Sequence, residues 1–192
     1  MRRWVLSTKK VLLLLSAIYF LSLYSYSIEV IPIQRWYSKK AGIHSFDLSA
    51  ESNSRLITNG YEKETAPPDL YDSPFFYLYK SPLTGTIPVY EVYSSIIDQK
   101  RLVTDKDELN DFLSSGCVTY KIIGYIYKNK VEGATEIFYI TNPQNGDVIY
   151  TTSKLEKDYY IKFKGWTQNK SLGYTQSFSS IGTGILSSNV IK

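Results

Sequence analysis

The sequence repeats itself three times, and this leaves few folds open to it. The run YLYKSPLTGTIPVY (Tyr77 to Tyr90) returns without a gap as YIYKNKVEGATEIF (Tyr125 to Phe138). IPIQRWYS (Ile31 to Ser38) returns as IPVYEVYS (Ile87 to Ser94), and Gly60-Tyr61 recurs as Gly116-Cys117 and Gly165-Trp166. Copies of roughly 50 residues are too small to bury a core each, so three of them predict one domain with pseudo-threefold symmetry. The copies run over 30–85, 86–133 and 134–182, inside a single domain over 28–192.

Each copy divides into the same four segments. A strand (32–38, 88–94, 136–142) is followed after a turn by a second strand (42–48, 98–104, 146–152). A polar stretch then reads as a short helix, with a capping residue at its start and acids in its first turn. The repeat glycine ends that helix and opens the third segment. An aromatic strand closes the copy: FYLYK (76–80), GYIYK (124–128) or GYTQS (173–177). Four strands in each of three copies is the count of a β-trefoil, and closure into a barrel removes the exposed edges of a long open sheet. The expected fold class is therefore all-β, β-trefoil-like, with a short helical turn in each repeat. A linear stack of three hairpin modules is the alternative. Copy one alone carries TAPPDLYD (65–72), whose adjacent prolines exclude a central strand. This insertion reads as an exposed loop that the scaffold could lose.

The N-terminus reads as a secretion signal over 1–27. Arg2, Arg3, Lys9 and Lys10 flank the uncharged apolar run Val11 to Tyr24, and Ser25-Tyr26-Ser27 offers small residues at the cleavage positions. The run falls short of the about 20 apolar residues of a membrane span, so retention as an anchor is the alternative. The expected location is secreted, periplasmic or extracellular, with no membrane partner once the leader is removed. The leader holds 4 of the 22 basic residues and no acid, which leaves 18 basic against 18 acidic residues beyond it. No basic patch stands out, and nucleic acid is not an expected partner. A single cysteine, Cys117, excludes an intramolecular disulfide.

The order of these segments resembles a family of secreted microbial repeats of unknown function. Its repeat runs roughly V-P-V-Y-R-x-Y, then D-H-F-Y-T-T, a short helix, G-W-x-x-E-G and a closing aromatic strand. Copy one reads IPIQRWYSKKAGIHSFDL and later NGYEKE; copy three reads EIFYITNPQNGDVIYTT and later KGW. The Asp-His pair is intact in no copy: it stands as Ile43-His44, Gln99-Lys100 and Asp147-Val148. The resemblance implies an exported, non-catalytic module in which any shared ligand site is degenerate.

Reactive constellations are few. His44 is the only histidine, so a Ser-His-Asp arrangement would have to use it, with Asp47 or another acid as orienter. No G-x-S-x-G elbow presents a serine. His44 aligns with Lys100 and Val148, and a surface or turn histidine is expected. Cys117 aligns with Tyr61 and Trp166, an inward position, and reads as a buried inert thiol. NPQNGD (142–147) reads as a hairpin turn rather than a calcium loop. One His and one Cys cannot build a zinc cluster, and no metal, cofactor or catalytic residue is expected.

Among eighteen tyrosines and three tryptophans, Trp36, Tyr150, Trp166 and Tyr174 are the candidate ligand-binding rings, since aromatic faces stack on sugars. Alignment of Trp166 with Cys117, and of Tyr150 with Phe46 and Leu102, also fits a core role. The expected function is a secreted, non-catalytic recognition module for a surface glycan, lectin-like. The alternative is a protein-binding module, an inhibitor or host-directed effector presenting the 65–72 loop.

Overall fold

The structure, a computed structural model, describes residues 28–48, 53–70, 74–94, 99–116 and 119–176. The proposed leader, Cys117 and the tail after Gln176 lie outside the described residues. The chain is mostly β, with 45% of it in strands and three small helices, and its sheet is nearly closed like a barrel.

The element order runs three times through a hairpin, a helix and a return strand. The first segment holds β1 (Val30–Ser38), β2 (Ile43–Asp47), α1 (Asn53–Thr58), β3 (Tyr61–Lys63) and β4 (Phe76–Tyr79). The second holds β5 (Thr86–Ser94), β6 (Gln99–Val103), α2 (Lys106–Ser114) and β7 (Thr119–Tyr127). The third holds β8 (Ala134–Thr141), β9 (Val148–Thr151), α3 (Lys154–Lys164), β10 (Thr167–Gln168) and β11 (Gly173–Gln176).

Within a segment one long strand carries all the pairing. The first half of β1 pairs with β4, and its second half lies between β2 and β3. β8 is shared in the same way among β11, β9 and β10. In the second segment the return is continuous: β7 follows β5 along its length, with a bulge between Val89 and Tyr90 where the other segments break their return strand in two.

The segments join through their return strands. Tyr79 of β4 pairs with Tyr125 of β7, and Tyr127 of β7 pairs with Tyr174 of β11. These joints are tight because two positions lack a side chain. A Cβ on Gly124 would stand 2.7 Å from Leu78 Cβ and 2.9 Å from Tyr79 O. One on Gly173 would stand 2.6 Å from Ile126 Cδ1 and 2.8 Å from Tyr127 O. Glycine is what lets the backbones approach. At the third such joint the Thr175 hydroxyl donates to Tyr77 O at 2.5 Å, and the Tyr79 hydroxyl donates to Gln176 Oε1 at 2.8 Å.

The core is divided accordingly. One central cluster draws Ile33, Val89 and Ile137 from the three long strands and Phe46, Leu102 and Tyr150 from the three second strands. Three satellite clusters lie under the helices: Trp36, Ile43, Leu56 and Tyr61; Val92, Val103 and Leu109; Phe138, Ile140, Ile149 and Trp166. Strand alternation explains the split, since odd and even positions face opposite sides.

The helices begin and end on the residues their sequence supplies. The Asp105 carboxylate accepts from the N–H groups of Asp107 and Glu108 at 2.9 and 3.1 Å and caps α2. Ser153 Oγ accepts from Glu156 N at 2.9 Å and caps α3. Gly165 closes α3 at φ 69°, with Trp166 N donating to Tyr160 O at 3.1 Å. Gly60 and Gly116 also take positive φ, 78° and 90°, at the ends of α1 and α2.

Candidate functional site

At the hairpin end of the sheet the inner face turns from apolar to charged. Arg35 on β1 and His44 on β2 project there beside the central cluster, only 2% and 3% exposed. Lone charges at that depth would cost several kcal/mol each, so partners are required. Arg35 Nε donates to Glu64 at 2.6 Å and its Nη2 to Glu156 at 2.5 Å, while the guanidinium lies 4.0 Å from the Phe75 ring centre. The planar fork of arginine suits this double engagement. Burial opposes the Arg35 charge, and the two carboxylates outweigh it, so its pKa is raised.

His44 continues the array. Its Nδ1 lies 2.6 Å from Asp147 Oδ2, and its Nε2 lies 3.5 Å from Glu64 Oε2. Asp147 also accepts from the backbone N–H groups of His44 and Val148 at 2.7 and 2.8 Å, and from Gln99 Nε2 at 3.0 Å. Burial works against a charged imidazole, yet the hydrogen bonds and charges of Asp147 and Glu64 raise its pKa above the ordinary 6.5. Glu64 is the converse: burial would raise it, but the bond from His44 and the charge of Arg35 lower it from 4.5 to about 2. The result is a line of alternating charge, Asp147–His44–Glu64–Arg35–Glu156, tying the first segment to the third. Tyr37 and Trp166 flank the imidazole, with ring centres at 4.7 and 6.0 Å.

His44 is therefore not a surface or turn residue. Alignment with Lys100 and Val148 misleads because the burial of His44 is set by its own partners, Asp147 and Glu64. Its orienting acid is Asp147, not Asp47: residues 44 and 47, three apart on one strand, face opposite sides. The hairpin reading of 142–147 holds, since Asn142 N donates to Asp147 O at 2.8 Å, but the turn also delivers the Asp147 carboxylate to the array. One signal was present in the sequence: His44 and Asp147 occupy successive positions of one repeat motif in different copies. Arg35, Glu64 and Glu156 carried no such mark.

The four candidate rings are not brought together. Tyr150 is fully buried and bridges the second and third segments, its hydroxyl donating to Leu102 O at 2.9 Å and accepting from Leu102 N at 3.1 Å. Its phenol pKa is raised by burial first and then by Tyr139. Trp36 and Trp166 are buried in separate satellite clusters, and Tyr174 is half-buried in β11. Trp36, Tyr150 and Trp166 thus present no stacking face, and these three positions serve packing.

The insertion is also more engaged than a free loop. Pro68–Leu70 form a 3-10 turn, Ala66 packs on the central cluster, and Ser153 Oγ donates to the Asp69 carboxylate at 2.7 Å. The hydroxyl that caps α3 is thus itself oriented by the insertion of the first segment. Its residues 71–72 lie outside the described residues.

Ile57, Tyr120, Ile122 and Val131 are exposed singly or in a pair, and α3 carries a row of three. Leu155, Tyr159 and Phe163, spaced four apart on one side of the helix, are 65%, 47% and 75% exposed. Lys154, Lys162 and Lys164 are exposed around them. Among the described residues no group of three or more His, Cys, Asp or Glu could hold a metal ion, and no helix is long and apolar enough to cross a membrane.

Residues 32–176, from β1 to β11, match the model of a family described as Domain of unknown function (DUF5648). The chain belongs to this family. The match takes in all three segments, so the DUF5648 domain corresponds to the whole sheet rather than to one hairpin–helix unit. Neither the curated proteins nor the solved structures give a match.

Proposed function

We propose that this DUF5648 chain is an exported recognition module that binds and does not catalyse, built as a pseudo-threefold, β-trefoil-like domain. The observation that carries the recognition reading is the solvent-facing line Leu155, Tyr159 and Phe163 on a helix that packs Tyr160 and Ile161 inward. Exposed large apolar groups in a row mark interaction surfaces. The absence of catalysis is supported by His44: both ring nitrogens face carboxylates and the imidazole is buried, which leaves it no substrate to touch. The charged array is then a structural clamp between segments. A glycan face built on Trp36, Tyr150 and Trp166 loses its support with their burial, and the α3 face takes its place.

The threefold reading is supported by the recurrence of one joint. Gly124 on Leu78 and Gly173 on Ile126 are the same contact moved by one copy, and one satellite cluster lies under each helix. A crystal structure in which 30–62, 86–118 and 135–167 superpose by successive rotations near 120° is the expected result; unequal rotations would refute the symmetry. Export is supported by the leader alone. Mass spectrometry of the protein from its own cells should find the mature chain beginning near Ile28, and an intact Met1 to Tyr24 on cytosolic protein overturns export. For recognition, the Leu155→Ser/Phe163→Ser protein should keep the wild-type melting temperature but leave the cell-associated fraction for the medium. Equal partitioning of variant and wild type would remove α3 from the reading.

A further inference from the structure

We infer that the outer face of α3 docks on an anionic lipid surface; the inference rests on the recognition reading and names the occupant of that same face. The argument is one of charge. α3 carries four lysines (154, 157, 162 and 164) and two acids (Glu156 and Asp158). Glu156 is turned inward and held by Arg35 at 2.5 Å, so it contributes nothing outward. Lys157 is mostly covered and stands 4.5 Å from the Phe138 ring centre. What faces solvent is an apolar line of Leu155, Tyr159 and Phe163 with Lys154, Lys162 and Lys164 beside it, and Asp158 as the one outward acid of the helix. The Lys164 ammonium lies over the Tyr159 ring, 5.6 Å from its centre. This is the arrangement of a helix lying in a membrane interface: aromatic and aliphatic groups enter the acyl boundary while lysines reach the headgroups.

The other long helix provides the internal contrast. α2 buries its apolar residue Leu109 and partly covers Phe112 and Leu113, and it shows solvent Lys106, Asp107, Asn110 and Asp111. It is polar and acidic outward, as an ordinary surface helix is. An apolar outer line with a basic border is thus peculiar to α3 among the two.

Helix dipole alone would favour Lys162 and Lys164 in the last turn. It explains neither Lys154 at the first turn nor an exposed Phe163. A protein partner with an acidic, apolar groove would meet the same face, and the experiment separates the two.

The test uses the full chain with Cys117→Ser and Phe163→Cys, the new thiol carrying an environment-sensitive fluorophore. A second protein carries the label at Asn110→Cys on α2. Vesicles are of phosphatidylcholine alone or with about one third phosphatidylglycerol. The local label reports α3 itself, whatever the apolar run Val11 to Tyr24 does. The inference expects a blue shift at 163 with anionic vesicles only, none at 110, and reversal at high salt. Lys154→Gln/Lys162→Gln/Lys164→Gln should weaken the response on the order of a hundredfold, at about fivefold per lysine, with an unchanged circular dichroism spectrum. No shift at 163, an equal shift at both sites, or a shift indifferent to the lysines each overturns it. Cell association that depends on Leu155 and Phe163 without any vesicle response would leave recognition standing and assign the face to protein.

Discussion

The two ends of the sheet solve the same problem in opposite ways. Where β4, β7 and β11 meet, the segments are joined by close backbone approach and apolar fit, with Gly124 against Leu78 and Gly173 against Ile126. At the hairpin end they are joined by charge, through Asp147, His44, Glu64, Arg35 and Glu156. The apolar joint is made at both Gly124 and Gly173 because it needs only a small residue against an aliphatic one. Among the described residues the charged joint occurs once in this form. At the positions of Arg35 and His44 the second segment has Glu91 and Lys100, 3.4 Å apart and met by Lys121 at 3.5 Å, and the third has Tyr139 and Val148. A charged contact demands a specific partner at each site, where an apolar one needs only fit.

The sharpest way to break the comparison is Arg35→Ala. It leaves Glu156 without its cation and Glu64 with His44 alone, and stability should fall by about 3–5 kcal/mol in urea unfolding. The combined Arg35→Met/Glu64→Gln/Glu156→Gln protein should recover most of that loss, because a whole buried ion set is replaceable where half of one is not. A combined variant as unstable as the single one would deny the clamp its electrostatic basis.

At the apolar end, Gly124→Val forces β7 away from β4, and a loss of about 1–3 kcal/mol is expected from overpacking. The backbone oxygen of Tyr79 cannot move aside as a side-chain tip would. Wild-type stability in this variant would mean the joint is looser than its distances say.

The pH dependence isolates the charged end. His44 has a folded pKa above 6.5, so its stabilising contribution is complete below 6.5 and is lost as pH rises through the folded value. Glu64 has a folded pKa of about 2 against 4.5, so its contribution is present above 4.5 and is lost as pH falls toward 2. Together they place the best stability of this array between about 4.5 and 6.5. Melting temperature should decline from pH 6 to 8 in the wild type and flatten in His44→Gln, the chain's single histidine. A parallel decline in both would assign the slope to other groups.

Smaller effects fall outside both joints. Asp69→Ala frees the hydroxyl that caps α3 and should cost about 1 kcal/mol, and deleting the insertion should cost at least as much. Lys39→Ala breaks an exposed pair with Glu62, and its effect should lie within about 0.5 kcal/mol of zero by the same unfolding measurement.

Much of the order of elements is legible in the sequence. The strands, the helix ends at Gly60, Gly116 and Gly165 and the hairpin at 142–147 follow from local signals: alternation, capping residues and turn chemistry. These depend on neighbours in sequence, which is why they could be read there. The engaged insertion was misread because its role lies in Asp69 meeting Ser153, far along the chain.

What the sequence determined by itself is the order of elements and which face of each strand is apolar. What only the tertiary structure decided is which of the equivalent positions meet. His44 and Asp147 become partners because folding brings the β2 and β9 hairpins together, and Arg35 becomes tolerable in the interior because Glu64 and Glu156 arrive from two different segments. Periodicity carries local conformation and burial, but the pairing of charges depends on distances that no spacing in one chain encodes.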